Sequence, residues 1–376
     1  MTSGTTKFSS SGRGGRGSRG QNDRMTSSEG PETLEPVRIG LVGYGFGGRW
    51  FHAPLLRSAA ECDFVGVVTS SAERRALVAQ DVPGLATFDS LEALAAAGAE
   101  AVAISTPADT HSALTDQALE LGLAVVCDKP FALDADAALR SVDLAERLGL
   151  PLSPYQNRRW DSDFLTVRDL AARGLLGELT RFESRFERLD PEPGPPASGG
   201  GTLRDFGSHL VDQALVLMGP VTSVYAEWHL LDNGLDDDVF VALTHETGAH
   251  SHLWGSWRQG APGPRFRVTG TTGSYVVGGP MDGQEELLLA GHTPASLGPA
   301  WGAEPANRWG RVHRGGDGET LPTLAGAWNG FYPGFARAVR GLGPVPVNPR
   351  DAVATATVLD AARRSATEGG VVRFTG

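Results

Sequence analysis

The chain has 376 residues, of which 40% are hydrophobic and 20% are charged, a composition typical of a globular protein with room for two ordinary domains. Its formal net charge of -11 excludes a general nucleic-acid binder, because phosphate backbones repel a surface of that sign. No apolar run approaches the roughly 18 residues that a membrane span needs, and Cys62 and Cys127 show no metal-binding spacing, so we expect two reduced thiols in a cytoplasmic protein without membrane partners.

Residues 1–36 differ in composition from the rest of the chain. The segment "SGRGGRGSRG" offers almost nothing to bury, so we predict a disordered tail over residues 1–36. An arginine- and glycine-rich run can hold RNA, but acidic residues such as Asp23 and Glu29 follow it closely. We therefore expect a passive tail, or translation that begins at Met25.

Short apolar runs alternate with helical stretches from Val37 onward. The apolar runs, which have the composition of strands buried on both faces, cover 37–42, 64–69, 101–106 and 123–127. Helical stretches cover 110–121 and 134–148. This alternation predicts an α/β fold, a doubly wound parallel sheet of the Rossmann type over residues 37–154. In such sheets, ligands bind at the carboxyl ends of the strands.

The pattern changes in the second half of the chain. The segment "TRFESRFERL" at 180–189 alternates apolar and charged residues, which is typical of a strand with one buried face. Similar runs cover 221–231, 239–244, 265–269 and 274–277, with helices at about 203–218 and 350–367 and loops at 191–201 and 291–303. We predict a substrate-binding α+β domain over residues 155–376 with a mostly antiparallel open sheet, and a last helix that packs on either domain.

A glycine-rich turn follows the first predicted strand. In "GLVGYGFGGRW", Gly43, Gly45 and Gly48 have the spacing G-x-G-x-x-G, between a strand and a helix. In that context glycine allows a tight turn, a close approach of backbone to pyrophosphate and close packing of helix on strand. The turn therefore predicts a dinucleotide site, with the phosphates on exposed N–H groups.

The end of the second strand bears on which dinucleotide is bound. An acidic residue there would bind a ribose 2′-hydroxyl, whereas this strand ends in Thr69, Ser70 and Ser71, with Arg74 and Arg75 close behind. Hydroxyls and cations suit a 2′-phosphate, which a carboxylate would repel. We favour NADP, with NAD as the alternative, and a solvated first turn of a helix would account for the two arginines without a ligand.

Lys129 follows the fourth predicted strand. The chain uses arginine at almost every basic position, and Lys7 in the tail is the only other lysine. An ammonium group is compact and can donate a hydrogen bond to a substrate oxygen, stabilising an alkoxide as hydride leaves the carbon. Lys129 is thus a candidate catalytic residue, restricted to extended backbone geometry by Pro130.

A second group of polar residues lies in "GGGTLRDFGSHLVDQAL". Asp205, His209 and Asp212 are spaced i, i+4 and i+7, so on a helix they share one face. A histidine there can exchange a proton with a carbinol oxygen near neutral pH, and a carboxylate one turn away can orient it and raise its basicity. No second histidine joins this face, so we predict no metal site; an exposed polar helix face is the alternative.

Four groups of residues occur together in this chain: Gly43-Tyr44-Gly45-Phe46-Gly47-Gly48, Thr106-Pro107 with His111, Asp128-Lys129-Pro130, and Asp205 with His209. Together they resemble the glucose-fructose oxidoreductase, inositol dehydrogenase and MocA-type (Gfo/Idh/MocA) oxidoreductases, from about Val37 to the C-terminus. The stretches "FHAPLL", "YQNRRWDSDFLT", "GTLRDFGSHLVDQAL" and 263–291 are most similar to the NADP-dependent scyllo-inositol 2-dehydrogenases of that family.

The resemblance implies roles for particular residues. It implies a catalytic set of Lys129, Asp205 and His209, with His209 exchanging the proton. It also implies cofactor contacts from the glycine turn and from Thr106, Pro107, His111 and Asp128, and substrate contacts from Asn157, Arg158 and Asp212.

The chain departs from the family at two of these positions. Asp128 stands where the family more often has glutamate, and Ser71 stands where close relatives have arginine, so that Arg74 or Arg75 would have to substitute.

The combined expectation is an NAD(P)-dependent dehydrogenase that interconverts a secondary alcohol of a cyclitol or sugar and its ketone. The resemblance further implies a homodimer or homotetramer. The alternatives are a glycosidase that uses NAD transiently and a nucleotide-sensing regulator of the same fold that catalyses nothing.

Overall fold

The computed structural model describes Met1 and residues 35–374, apart from Pro193, Pro196 and Pro280. The predicted disordered tail therefore lies almost wholly outside the described residues. Among those described, no helix is long and apolar enough to cross a membrane.

The first part of the described chain forms a six-stranded parallel sheet. Its strands are β1 (Val37–Val42), β2 (Cys62–Val68), β3 (Ala86–Phe88), β4 (Ala101–Ile104), β5 (Ala124–Cys127) and β6 (Leu152–Pro154). The helices are α1 (Ala53–Ser58), preceded by a π-helical turn at Gly48–His52, then α2 (Ala72–Asp81), α3 (Leu91–Ala96), α4 (His111–Glu120) and α5 (Ala135–Leu148).

The strand order of this sheet is β3-β2-β1-β4-β5-β6. The chain first builds outward from β1 to β3, then returns to the other side of β1 and builds outward again to β6. The order therefore reverses between β1 and β4, and the carboxyl ends of these two strands flank the crevice where such sheets bind ligands. The predicted doubly wound parallel sheet is confirmed.

Local signals explain why these elements begin and end where they do. The strands β4 and β5 are buried along their whole length, which requires the continuous apolar runs seen in the sequence. Helix α5 begins after Asp134, whose side chain accepts a hydrogen bond from the backbone N–H of Ala137, and ends at Gly149 in the left-handed conformation. The short edge strands β3 and β6 contain too few residues to form a continuous apolar run that the sequence would reveal.

The second part of the chain forms a nine-stranded sheet. Its strands are β7 (Leu179–Glu187), β8 (Val221–Leu230), β9 (Asp236–His245), β10 (His250–Ser256), β11 (Phe266–Gly270), β12 (Ser274–Val277), β13 (Gly310–His313), β14 (Glu319–Leu321) and β15 (Val372–Arg373). Their order is β14-β13-β12-β11-β7-β10-β9-β8-β15. All neighbours are antiparallel except β7 and β10, so the predicted mostly antiparallel sheet is confirmed.

Six helices lie in the second part of the chain: α6 (Ser162–Ala172), α7 (Thr202–Met218), α8 (Gln284–Leu289), α9 (Pro294–Leu297), α10 (Phe331–Val339) and α11 (Pro349–Glu368). Single 3₁₀ turns lie at Ala108–Thr110, Asn157–Trp160, Ala197–Gly199, Gly298–Ala300, Ala306–Arg308 and Trp328–Gly330. Helix α9 forms within the segment 291–303, so the prediction that this whole segment is a loop was wrong. Its threonine-capped turn begins with a proline, which favours a helix start.

The last helices connect the two sheets. Helices α7 and α11 cover one face of the nine-stranded sheet, and α11 also packs on α5. Phe331 and Phe335 of α10 share a core with Ile39 and Leu41 of β1. Residues from the range predicted for the second domain thus complete the layers around the first sheet, and the domain boundary after residue 154 stays a prediction.

Candidate active site

The glycine turn after β1 has the three properties that a dinucleotide requires. Gly43 has a φ of 91°, and a Cβ there would lie 2.3 Å from the carbonyl oxygen of Ser105, so only glycine fits. A Cβ on Gly48 would lie 2.4 Å from the carbonyl oxygen of Gly43, so the following turn packs tightly. A Cβ on Gly45 would meet only the guanidinium of Arg74, at 3.9 Å. The middle glycine therefore faces open space, as the close approach of a pyrophosphate needs.

The other residues of the turn face in different directions. Tyr44 is buried and donates a 3.2 Å hydrogen bond to Asp81; burial, followed by the charge of that carboxylate, raises the pKa of Tyr44 to about 12. Phe46 is 60% exposed and meets Phe51 edge to face. A Cβ on Gly47 would lie 2.7 Å from the Ser105 hydroxyl, so glycine at this position allows the backbone of the turn to pack closely against Ser105. The side chain of Tyr44 is therefore not available to a ligand.

The hydroxyl groups after β2 serve mainly the backbone. The Ser71 hydroxyl accepts a 3.2 Å hydrogen bond from the N–H of Arg74 and so caps α2. The Thr69 hydroxyl accepts from the N–H of Ser71 at 3.3 Å. Ser70 is exposed. Of the three predicted hydroxyls, Ser70 is the one without an internal hydrogen bond in the described part of the chain.

The two arginines of α2 differ in their surroundings. Arg75 pairs with Asp89 and lies 3.4 Å from the Thr87 hydroxyl. Arg74 is exposed, has no ion-pair partner among the described residues, and lies beside Gly45 of the glycine turn. The geometry therefore makes Arg74, rather than Arg75, the cation that a phosphate near the turn would meet.

Asp128 organises the backbone at the end of β5. One carboxylate oxygen accepts a 2.7 Å hydrogen bond from the N–H of Lys129; the other accepts one of 2.9 Å from Ser105 and lies 3.2 Å from His52 Nε2. Burial alone would raise the pKa of Asp128, but the charge and hydrogen bond of His52, together with the charges of His111 and Lys129, hold it below its ordinary value. The carboxylate thus fixes the backbone of Lys129, not its amine.

His52 was missed in the sequence, although it lies in the quoted stretch "FHAPLL". It is fully buried, its Nδ1 lies 2.5 Å from the hydroxyl of Tyr332 on α10, and its ring packs on Tyr155. Its Nε2 faces Asp128. A histidine four residues after Gly48, just past the glycine turn, is the sequence signal that could have indicated this role.

Lys129 meets Asp205 across the cleft. Its amine nitrogen lies 2.5 Å from a carboxylate oxygen of Asp205, which belongs to the first turn of α7. The two side chains are 26% and 13% exposed. The structure therefore brings together two of the three predicted catalytic residues, at the carboxyl edge of the parallel sheet.

His209 lies one turn further along α7 and is 3% exposed. Its Nδ1 lies 3.2 Å from the side-chain oxygen of Gln156, a residue that the sequence did not indicate. Burial, and then the charges of Lys129 and Arg158, hold the pKa of His209 well below its ordinary value. The expectation that a helix carboxylate would orient this ring and raise its basicity was wrong, because Asp205 is engaged by Lys129.

Asp212 shares the helix face but has a different partner. Arg159 donates two hydrogen bonds to its carboxylate, at 2.8 and 2.6 Å, and a third, at 2.9 Å, to Asp351 of α11. Asp212 is 1% exposed. The structure does not bring its carboxylate to Lys129, and its predicted contact with substrate stays a prediction. Within the described residues, no cluster of three or more potential ligands could hold a metal ion.

Asn157 and Arg158 differ in availability. Arg158 donates to Asp161 at 3.3 Å and to Glu285 at 2.8 Å, and its guanidinium lies 4.9 Å from the ring centre of Phe186. Asn157 is 7% exposed, and its amide has no hydrogen-bond partner in the described part of the chain. Of this pair, Asn157 has the polar group left for a ligand.

His111 links two loops of the cleft. Its Nδ1 lies 2.8 Å from the carbonyl oxygen of Pro130 and its Nε2 lies 2.9 Å from that of Thr106. Because carbonyl oxygens only accept, both nitrogens must donate, as in an imidazolium. Burial lowers the pKa of His111, but its interactions with the Cys127 sulfur, the charge of Asp128 and the carbonyl of Pro130 raise it to about 9. His111 therefore has no ring nitrogen left for a ligand.

The segment Thr106-Pro107 is closed in the same way. The hydroxyl of Thr106 lies 2.6 Å from that of Thr110, which donates at 2.7 Å to the carbonyl oxygen of Pro107. These residues border the crevice after β4. Both threonine hydroxyls are engaged within the segment, so the segment can contact a ligand through its surface but has no free hydroxyl for it.

Arg188, directly after β7, is a further residue that the sequence did not indicate. Its guanidinium lies over a layer of three rings, at 4.3 Å from Trp257, 5.0 Å from Phe206 and 5.4 Å from Phe186. Phe206 follows the catalytic candidate Asp205 in α7. No ion pair holds Arg188 among the residues that the structure describes, so it is a cation available near the cleft.

Comparison with known proteins gives matches along most of the described chain. Residues 37–156 match the model of the oxidoreductase family with an NAD-binding Rossmann fold. Residues 164–276 match the GFO/IDH/MocA C-terminal domain. The two matches correspond to the parallel sheet and to most of the antiparallel sheet.

Individual relatives cover nearly the whole chain. The scyllo-inositol 2-dehydrogenase (NADP(+)) IolW of Bacillus subtilis is 30% identical over 355 residues, 92% of this chain and 98% of that protein. The uncharacterized oxidoreductase YdgJ of Escherichia coli is 35% identical over 88% of this chain and 96% of that protein. The solved structure of the putative oxidoreductase yvaA from Bacillus subtilis has a TM-score of 0.84 at 29% identity, covering 92% of this chain and 100% of that one.

Proposed function

This chain belongs to the Gfo/Idh/MocA family of NAD(P)-dependent oxidoreductases, and we propose that it interconverts a secondary alcohol of a cyclitol or sugar and the matching ketone by hydride transfer. One observation carries the proposal. The ion pair of Lys129 with Asp205 and the neutral ring of His209 lie together at the carboxyl edge of a parallel sheet whose glycine turn leaves room for a dinucleotide.

The residues of the chain divide the work of alcohol oxidation. A nicotinamide dinucleotide held at the turn of Gly43, Gly45 and Gly48 would supply the acceptor for the hydride of the carbinol carbon. His209, kept neutral by burial and by nearby cations, takes the hydroxyl proton on its free ring nitrogen. Lys129 donates a hydrogen bond to the same substrate oxygen and stabilises its negative charge, while Asp205 holds the amine in place. Reduction of the ketone reverses these steps.

NADP is the proposed cofactor. Arg74 beside Gly45 has no ion-pair partner among the described residues, and the end of β2 carries no carboxylate that would repel a 2′-phosphate. The relative IolW of Bacillus subtilis is named as an NADP(+) enzyme, which favours the same choice.

A polyol is the proposed substrate. The amide of Asn157 can donate and accept hydrogen bonds and the guanidinium of Arg188 can donate them, and both suit a substrate with several hydroxyl groups. The relative IolW is named for its action on scyllo-inositol. A ring with several hydroxyl groups therefore fits both the residues and the likeness.

The test is a direct assay. Purified protein is mixed with NADP or NAD and a panel of inositols and sugars, and the nicotinamide absorbance is followed. We expect reduction of the cofactor with at least one cyclitol or sugar, with NADP preferred. No change in absorbance across the panel would refute the proposed reaction.

Two alternatives would give different results in this assay. A glycosidase that uses NAD transiently would release sugar from a glycoside without net nicotinamide reduction. A nucleotide-sensing regulator would bind the cofactor, and its binding of a partner protein would be unchanged in Lys129→Ala. The Lys129–Asp205 ion pair, which a regulator would not need, favours the dehydrogenase over the regulator.

Location and assembly stay predictions. Two free thiols, Cys62 and Cys127, favour the cytoplasm. The face of the nine-stranded sheet opposite α7 presents Phe240 and Trp254, with Arg185 stacked over Trp254 at 3.8 Å. This face suits pairing with a second copy, and light scattering with and without a Trp254→Arg substitution tests it.

A further inference from the structure

Gln156 lies two residues after β6, at the carboxyl edge of the parallel sheet. It is 3% exposed, and its backbone is fixed by a 3.0 Å hydrogen bond from its N–H to the carbonyl oxygen of Pro154. Its side chain reaches α7, where the amide nitrogen donates to the carbonyl oxygen of Ser208 at 3.3 Å. The amide oxygen lies 3.2 Å from Nδ1 of His209. Both ends of the amide are thus engaged by the helix that carries the histidine.

These two contacts settle which ring nitrogen of His209 carries the hydrogen. The carbonyl oxygen of Ser208 can only accept, so the amide nitrogen of Gln156 must face it. The amide oxygen, which can also only accept, is then left for His209, and Nδ1 must be the donor. A neutral imidazole with hydrogen on Nδ1 has its lone pair on Nε2. That nitrogen has no hydrogen-bond partner among the described residues.

The charged groups around the ring keep it neutral. Lys129 faces it from the end of β5, Arg158 from the turn after β6, and Arg265 from the start of β11. The two carboxylates nearest to His209 on the same helix are each held by a cation, Asp205 by Lys129 and Asp212 by Arg159. An uncharged amide at position 156 therefore orients the ring without adding a negative charge that would favour the imidazolium.

We infer that Gln156 is a positioning residue that fixes His209 in the Nδ1–H tautomer and so prepares Nε2 to take the substrate proton. The inference rests on the proposed function for its catalytic part. The tautomer itself is a property of the protein without substrate or cofactor, and it can be measured independently.

The first measurement is nitrogen NMR of the full chain with ¹⁵N-labelled histidine, in which the His209 signals are assigned by their loss in His209→Asn. We expect Nδ1 to have the shift of a protonated nitrogen and Nε2 that of an unprotonated one. In Gln156→Met, which removes the amide at similar size, we expect a mixture of tautomers. Hydrogen on Nε2 in the wild type, or an unchanged spectrum in Gln156→Met, would overturn the inference.

Gln213→Met is the matched control. Gln213 is also a buried glutamine near the ring, but its amide donates to the carbonyl oxygen of Arg158 and accepts from Arg265. We expect the spectrum of His209 to be unchanged in this variant. An equal change in both variants would mean that any lost buried amide disturbs the ring, and would overturn the specific role of Gln156.

The second measurement uses Gln156→Glu, which keeps the size and an acceptor oxygen but adds negative charge. A carboxylate beside the ring favours its protonated form, so the acid limb of the kcat profile and the NMR titration of His209 move together to higher pH. In Gln156→Met we expect kcat to fall about 10- to 100-fold, the range for partners that orient a functional histidine, with KM for cofactor changed much less. A wild-type protein without turnover refutes the proposed function, whereas the tautomer spectrum still tests Gln156.

Discussion

Replacement of Arg74 by glutamine tests the cofactor preference most directly. The guanidinium of Arg74 lies beside Gly45 of the glycine turn and has no ion-pair partner among the described residues. In Arg74→Gln the charge is lost while the hydrogen bond from the backbone N–H to Ser71, which caps α2, is retained. The fold of the helix should therefore be unaffected.

The size of the effect follows from the exposure of the site. A hydrogen bond to a charged group contributes about 1.5–3 kcal/mol. Because Arg74 is exposed, the lower end of this range applies, and about 1.5 kcal/mol corresponds to a roughly 13-fold change in affinity. We expect the Kd for NADPH to rise about 10- to 30-fold and that for NADH to change less than about threefold. The difference should shrink as salt is added, since exposed charges are screened.

Fluorescence titration of NADPH and NADH into purified protein measures both affinities without a substrate. Arg75→Gln is the matched control, because Arg75 is a neighbouring arginine of the same helix that is paired with Asp89. We expect this control to leave the ratio of the two affinities unchanged. An unchanged ratio in Arg74→Gln, or an equal fall in both variants, would refute the assignment of Arg74 to the 2′-phosphate.

Three further predictions concern the catalytic amine, a buried histidine and the C-terminal packing. Lys129→Arg should fold and bind cofactor normally but lose at least ~100-fold in turnover, because a guanidinium cannot replace a positioned donor; near-normal kinetics would contradict this. His111 has a folded-state pKa of about 9 against an ordinary 6.5, so its contribution to stability is full below about pH 6.5 and is lost as pH rises through 9. The difference in melting temperature between wild type and His111→Gln should therefore narrow between pH 6 and 9.5; a constant difference would count against it. Phe335→Ala should cost about 3–5 kcal/mol in urea unfolding, because Phe335 is fully buried against β1; a cost below about 1 kcal/mol would show that α10 does not support the first sheet.

Local patterns in the sequence indicated much of the architecture. The apolar runs of β1, β4 and β5 and the glycine spacing after β1 act within a few residues, so they can be read without knowledge of distant partners. The same holds for the helix ends at Asp134 and Gly149, where a side-chain cap and a left-handed glycine stop the helix. Strand β10 was missed because "HSHLWGS" carries only two large apolar residues, and its neighbours in the sheet supply the reason for its extended form.

Local patterns predicted less about the contacts within the candidate site. Helical spacing placed Asp205, His209 and Asp212 on one face, and this is correct, but spacing does not say which group each side chain meets. Asp205 is engaged by Lys129 from the first sheet, and Asp212 is engaged by Arg159.

The sequence by itself therefore determined the parallel sheet, its glycine turn and the position of Lys129 at the carboxyl edge, because each depends on periodicity and spacing within one short segment. Only the tertiary structure decided that Gln156 orients His209 and that His52 supports Asp128. Gln156 and His209 are tens of residues apart in the chain, and so are His52 and Asp128. Their contacts depend on how distant elements such as β5, β6 and α7 approach one another, and no local pattern in the sequence encodes that approach.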